Sequence, residues 1–228
     1  MNQDIVLQER LGLLNKLKYF FVNPKVFFED NKVKNSWFLL FLLIVFSTSM
    51  LQAKTMTIAT LSLDVGGNLG EEGTAIISKL SMIFGLVTGT LGSAVSILFS
   101  ALIILLCVKY MFKGVVTFKQ VLSIYCFSSV PKIILNVLLL ATYNKFSDAF
   151  LLSDLTNLII RNVNVFTIWF VILLVIGISV VAKVSMKKSI ILFLILSFLM
   201  ITFTIGSYFI TDGMGNDISN LDLQMDSE

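Results

Sequence analysis

Five apolar runs, each about as long as a bilayer core is thick, take up most of this chain. A helix needs ~20 apolar residues to cross hydrocarbon. The runs cover residues 37–53, 83–108, 121–141, 165–182 and 189–210, and Lys132 is the one Lys, Arg, Asp or Glu inside them. An apolar helix in lipid satisfies its own backbone hydrogen bonds, whereas an open strand does not. The strict period-two alternation of a membrane barrel is missing. With 57% hydrophobic and 14% charged residues, the chain lacks the charged shell of a soluble domain. The expected fold class is therefore all-α: a polytopic integral membrane protein, a bundle of five transmembrane helices.

The placement of charge sets an expected orientation. Twelve of the 17 basic residues fall on one side of the five runs: Arg10, Lys16, Lys18, Lys25, Lys32, Lys34, Lys109, Lys113, Lys119, Lys183, Lys187 and Lys188. Ten of the 14 acids fall on the other, including Asp212, Asp217, Asp222, Asp226 and Glu228. The positive-inside rule places the N-terminus in the cytoplasm and the C-terminus outside, and an odd number of spans agrees. The polar start carries no cleavable signal peptide pattern, so the first run would serve as an uncleaved anchor in the cell membrane. The net charge of +3 gives no reason to expect a nucleic-acid partner.

Three segments lie outside the runs. Residues 1–36 form an expected cytoplasmic amphipathic segment, with Leu7, Leu11, Leu14 and Phe21 at helical spacing and Pro24 as a break among aromatics. Two readings stand for it: a helix lying on an anionic leaflet, or one packing against the ends of the spans. Residues 54–82 read as the longest outside connection, with Gly66–Gly67 as turn formers, and residues 146–162 as a short helix on the outer leaflet. Residues 211–228 read as an acidic, disordered extracytoplasmic tail.

Two constellations within the spans merit notice. Gly85, Gly89, Gly92, Ser93 and Ser96 form a small-residue stripe in the second run, which lets helix backbones approach closely in lipid. The stripe serves either packing within the subunit or a homodimer seam. In the third run, Ser128, Lys132 and Asn136 recur every four residues beside Pro131, where a kink is expected. A lysine at mid-membrane costs roughly 2.5–3.5 kcal/mol on insertion scales. Lys132 therefore either faces a polar pocket at the kink or snorkels to the nearer interface.

Catalytic chemistry finds no footing. The chain has no histidine, which removes Ser-His-Asp and Cys-His sets and His-based metal sites. No carboxylate pair lies within a run for acid–base work. Cys107 and Cys126 lie inside runs and read as packing residues rather than a disulfide or metal site. No catalytic, cofactor-binding or metal-ligating residue is expected, and no cofactor.

Four stretches resemble the Yip domain family, the Ypt/Rab-interacting membrane proteins, in a bacterial-type form. They are FVNPKVFFEDNKVKNSW from Phe21 to Trp37, the small-residue second run, FKQVLSIYCFSSVPKII from Phe118 to Ile134, and NVFTIWFVILLVIGISVVAKVSMKKSI from Asn164 to Ile190. The resemblance covers about residues 10–210 and implies five membrane helices behind a cytoplasmic N-terminal segment. It also implies a non-enzymatic adaptor, tied in eukaryotic members to Rab-type GTPases and in some bacterial relatives to ABC exporters and to toxin or envelope-stress resistance. With 36 residues before the first run, the long N-terminal extension often seen in eukaryotic members is not expected here, and with it recruitment of a GTPase. The expected partners are the lipid bilayer and another membrane protein such as an ABC exporter subunit, with a homo-oligomer as a further option. The alternative is a small transporter, channel or lipid-moving protein with a polar path near Lys132.

Overall fold

The computed structural model describes residues 20–30, 37–63, 70–142, 164–195, 197–198 and 202. Among these residues every regular element is helical. The stretch around Leu7–Leu14, the 146–162 segment, the acidic tail and most of the fifth run lie outside the described residues.

Helix α1 spans Pro24–Asp30, α2 Trp37–Leu63 and α3 Glu71–Leu106, which continues through a π-helical turn at Cys107–Met111. Helices α4, Phe118–Ser128, and α5, Val130–Thr142, meet at a bend. Helix α6 spans Val165–Val181, and residues 186–195 are again helical. Among the described residues, two helices are long and apolar enough to cross a membrane, within Trp37–Thr60 and Glu72–Met111, or three if the bent α4–α5 pair counts as one span. Helix α6 is apolar but shorter, at 17 residues.

The long outside connection expected over residues 54–82 is mostly helix. Helix α2 runs on to Leu63 and α3 starts at Glu71. The reason is local. The hydroxyls of Thr55, Thr57 and Thr60 donate to the carbonyls of Leu51, Ala53 and Met56 at 2.8–2.9 Å. These polar side chains are thus satisfied inside the helix rather than by a loop. Ser81 then donates to Thr60 across the pair at 3.0 Å.

Helix α3 is about 54 Å long at 1.5 Å per residue, and its two halves serve different neighbours. Near its start it lies against α2. Further on, Ile97, Ala101, Ile104 and Val108 are buried in a cluster with Val121, Leu122 and Ile124 of α4 and Leu174 and Ile178 of α6. Its outward face carries Ile83, Phe84, Leu91, Val95 and Phe99, all more than half exposed, as lipid contact requires.

The N-terminal aromatics enter this core. Phe20 and Phe28 are buried. Phe28 packs where Gly177 of α6 has no side chain, and a Cβ built there would lie 3.1 Å from Phe28 Cζ and 2.5 Å from Ile124 Cγ2. Phe27 sets an edge against Phe127, and Phe21 stacks on Trp169. Trp169 and Gly177 are eight residues apart, about 12 Å along α6. Residues 20–30 therefore lie along α6 rather than across its end.

Candidate functional site

The bend between α4 and α5 organises the polar groups of the bundle. Helix α4 opens with a reciprocal cap, in which Gln120 N–H donates to Thr117 Oγ1 and Thr117 N–H to Gln120 Oε1. It closes at Ser129, whose N–H is shared between the carbonyls of Tyr125 and Cys126 at 3.0 and 3.2 Å. Ser129 Oγ also donates to the Tyr125 carbonyl at 2.8 Å. Helix α5 resumes at Val130 with Pro131 in its first turn, where a missing N–H costs nothing, and the two axes differ by 41°. The bend expected at Pro131 is thus centred on Ser129, because the proline can open a helix but cannot sit inside one.

The three polar residues spaced along this segment diverge. Asn136 Nδ2 donates to Ser47 Oγ and Thr48 Oγ1 of α2 at 3.2 and 3.3 Å, and Ser47 Oγ itself donates a hydrogen bond to the Ile44 carbonyl. Lys132 turns to α6, with Nζ 3.8 Å from the centre of the Phe170 ring, a cation–π contact. Phe170 in turn meets Tyr125 edge-on at 5.5 Å. Ser128 is wholly buried, and its Oγ has no hydrogen-bond partner among the described residues. No hydrogen bond joins Ser128, Lys132 and Asn136 to one another among those residues. Nearer the other end of α5, Lys54 Nζ donates to the Leu140 carbonyl at 3.3 Å.

The small-residue stripe also divides. A Cβ at Gly85 would lie 2.7 Å from Ala53 Cα, and one at Gly89 2.9 Å from Ser49 Cα. These two glycines let α2 and α3 touch backbone to backbone, and Ser49 and Thr90 share a hydrogen bond of 3.0 Å beside them. Gly92 has nothing within 4 Å of its Cβ position, and Ser96 is exposed. Ser93 donates to the Thr90 carbonyl of its own helix. At 100° per residue, Ile97, Ala101, Ile104 and Val108 lie ~100° around α3 from Gly85 and Gly89. The buried face has rotated away from Gly92 and Ser96.

The partners Ser47, Thr48 and Phe170 were not singled out from sequence. Ser47-Thr48-Ser49 is a hydroxyl triplet within an apolar run, and that was the available signal. Phe170 carried none, being one of 20 phenylalanines. Cys107 and Cys126 are free thiols, the second buried. No group of three or more His, Cys, Asp or Glu side chains gathers among the described residues.

The model of the Yip1 domain family matches residues 18–208. The chain belongs to the Yip1 domain family. No curated protein and no solved structure matches it. As a Yip1 domain protein with apolar helices of membrane-crossing length, it is a multi-pass membrane protein in contact with the lipid bilayer. The matched region begins just before the Phe20–Phe28 aromatics, so the Yip1 domain takes in the segment that packs on α6.

Proposed function

We propose that this protein is a non-enzymatic adaptor of the cell membrane. Five spans would carry it, with the N-terminus in the cytoplasm and the C-terminus outside. It would bind another membrane complex, an ABC exporter subunit or similar, in envelope-stress or toxin resistance or in membrane traffic. The observation that carries this reading is how the polar groups of the spans are used. Asn136 bonds to α2, Lys132 covers Phe170, and Ser49 meets Thr90, so each joins one helix to another. Among the described residues, the outside includes an apolar face of α3 and, at one end, exposed Lys109, Lys113, Lys183, Lys187 and Lys188. A body of this kind offers surfaces for assembly. The test is purification of the tagged protein from its own membrane in mild detergent, with mass spectrometry. Stoichiometric recovery of exporter subunits or another membrane complex is expected, and a protein that comes alone overturns the reading.

The second reading, a small transporter or lipid-moving protein, draws on Lys132 beside a bent helix, with an aromatic face as its partner. An anionic solute would suit that ammonium. On the adaptor reading, liposomes containing the protein show no anion flux that depends on Lys132, and Lys132→Met recovers the same partners. An anion flux that falls tenfold or more in Lys132→Met would put transport in its place.

A further inference from the structure

The two loops at one end of the bundle are built alike and touch. In the first, Lys113 follows the π-helical turn with φ 53°, and Gly114 N–H closes on the Val108 carbonyl at 2.9 Å. In the second, Lys183 follows α6 with φ 54°, and Val184 N–H closes on the Ser179 carbonyl at 3.2 Å. Both lysines thus occupy the left-handed position that ends a helix, where glycine is the usual residue. The loops meet at Gly114. A Cβ there would lie 2.8 Å from Val184 Cγ2 and 3.3 Å from the Ala182 carbonyl. Lys113 is thus the chain neighbour of one side of the contact and Lys183 of the other, each at a positive φ.

The two segments that carry this pair are one-sided in charge, and the neighbouring α1 carries an exposed Glu29. Lys109, Lys187 and Lys188 are exposed on the same two segments. Neither residues 107–142 nor residues 164–195 contain an Asp or Glu. Large apolar side chains stand exposed among the lysines: Tyr110 at 79%, Val115 at 84% and Met111 at 55%. Apolar bodies beside cationic tips are what the headgroup layer accommodates, and basic pockets between spans hold phosphate headgroups.

We propose that the two loops form a single site for an anionic phospholipid headgroup, with Lys113 and Lys183 as its fixed cationic pair. By charge alone, two cations on adjoining loops favour a headgroup with two phosphates over one with a single phosphate. The site stands apart from the adaptor reading, since it needs no protein partner.

The experiment is thermal unfolding of the full-length protein in mild detergent. Phosphatidylcholine, phosphatidylglycerol, diphosphatidylglycerol and pyrophosphate are added separately at equal phosphate concentration. A ligand that binds only the folded state raises the midpoint. A rise of several degrees is expected with diphosphatidylglycerol, a smaller one with phosphatidylglycerol and none with phosphatidylcholine. K113G/K183G removes both charges and relieves both left-handed residues, so its lipid-free midpoint should stay level or increase while the lipid-dependent rise disappears. K113Q/K183Q, which keeps the side-chain bulk, must lose the rise as well. K79Q, which removes a charge from the first turns of α3, must keep it. An equal rise with phosphatidylcholine, or a rise retained in both double variants, overturns the proposal. So does a rise reproduced by pyrophosphate, which would make the ligand a soluble phosphate rather than a lipid.

Discussion

Gly85→Leu is expected to leave little folded protein, while Gly92→Leu, seven residues along the same helix, leaves it unchanged. The obstruction at Gly85 is backbone. The first carbon of any side chain would lie 2.7 Å from Ala53 Cα and 3.2 Å from Ala53 N, so no rotamer of a neighbour can relieve it. Helices α2 and α3 would have to separate, and the Ser49–Thr90 and Ser81–Thr60 hydrogen bonds would open with them. Overpacking a core costs about 1–3 kcal/mol when side chains can adjust. With backbone on both sides, about 3 kcal/mol or more is expected, a large share of a typical total of about 5–15 kcal/mol. At Gly92 nothing lies within 4 Å, and leucine is the better helix former, so a change within about 0.5 kcal/mol is expected. Thermal midpoints and recovered yield in mild detergent measure both. The pair also separates the two roles open to the stripe. A dimer that dissociates in Gly92→Leu at unchanged monomer stability would place a second copy against Gly92 and Ser96. An unchanged particle size leaves the stripe to packing within the subunit.

What the sequence made legible was set by composition over long windows. Runs of Leu, Ile, Val and Phe locate α2, α3, the α4–α5 pair and α6 to within a few residues, except where polar residues continue a helix. Lys54, Thr55, Thr57, Thr60 and Ser81 look like loop residues in a hydropathy profile. The four hydroxyls are nonetheless satisfied by carbonyls one turn back or by the facing helix, and Lys54 Nζ donates to the Leu140 carbonyl, so α2 and α3 extend through them. A helical spacing of four predicts which residues share a face of an ideal helix. It does not say which neighbour that face meets, nor what a bend does to it. Ser128 lies before the bend at Ser129, and Lys132 and Asn136 lie after it, so one sequence stripe reaches the core, α6 and α2 in turn. The same limit applies to α3, whose two halves meet different helices. The aromatic entry was legible as a motif but not as part of the core, because its burial depends on Gly177, some 150 residues further along the chain.

That burial leads to the second large effect. Phe28→Ala is expected to destabilise the protein by about 3 kcal/mol or more, the range for emptying a buried phenylalanine site. Phe28 is 5% exposed and fills the space that Gly177 leaves beside Ile124. Its loss removes the deepest anchor of α1 and leaves Phe27 on Phe127 and Phe21 on Trp169 to hold the segment. Val22→Ala, at a side chain 74% exposed, should change stability by no more than about 0.5 kcal/mol. A native thiol reports the structural change directly. Cys126 is wholly buried in the same cluster as Phe28, so in a Cys107→Ser background a maleimide should label it at least tenfold faster when Phe28 is alanine. Gly177→Val tests the contact from the other side. Its Cβ would meet Ile124 Cγ2 at 2.5 Å and Phe28 Cζ at 3.1 Å, so it should displace Phe28 and expose Cys126 in the same way. If stability and labelling are both unchanged in Phe28→Ala and in Gly177→Val, α1 rests on the bundle without belonging to its core. The aromatic entry would then be a surface segment, as its charges alone suggest. If both change together, the first packing surface of the bundle core lies before its first long span. A truncation placed between Asp30 and Trp37 would then remove part of the bundle rather than a tail.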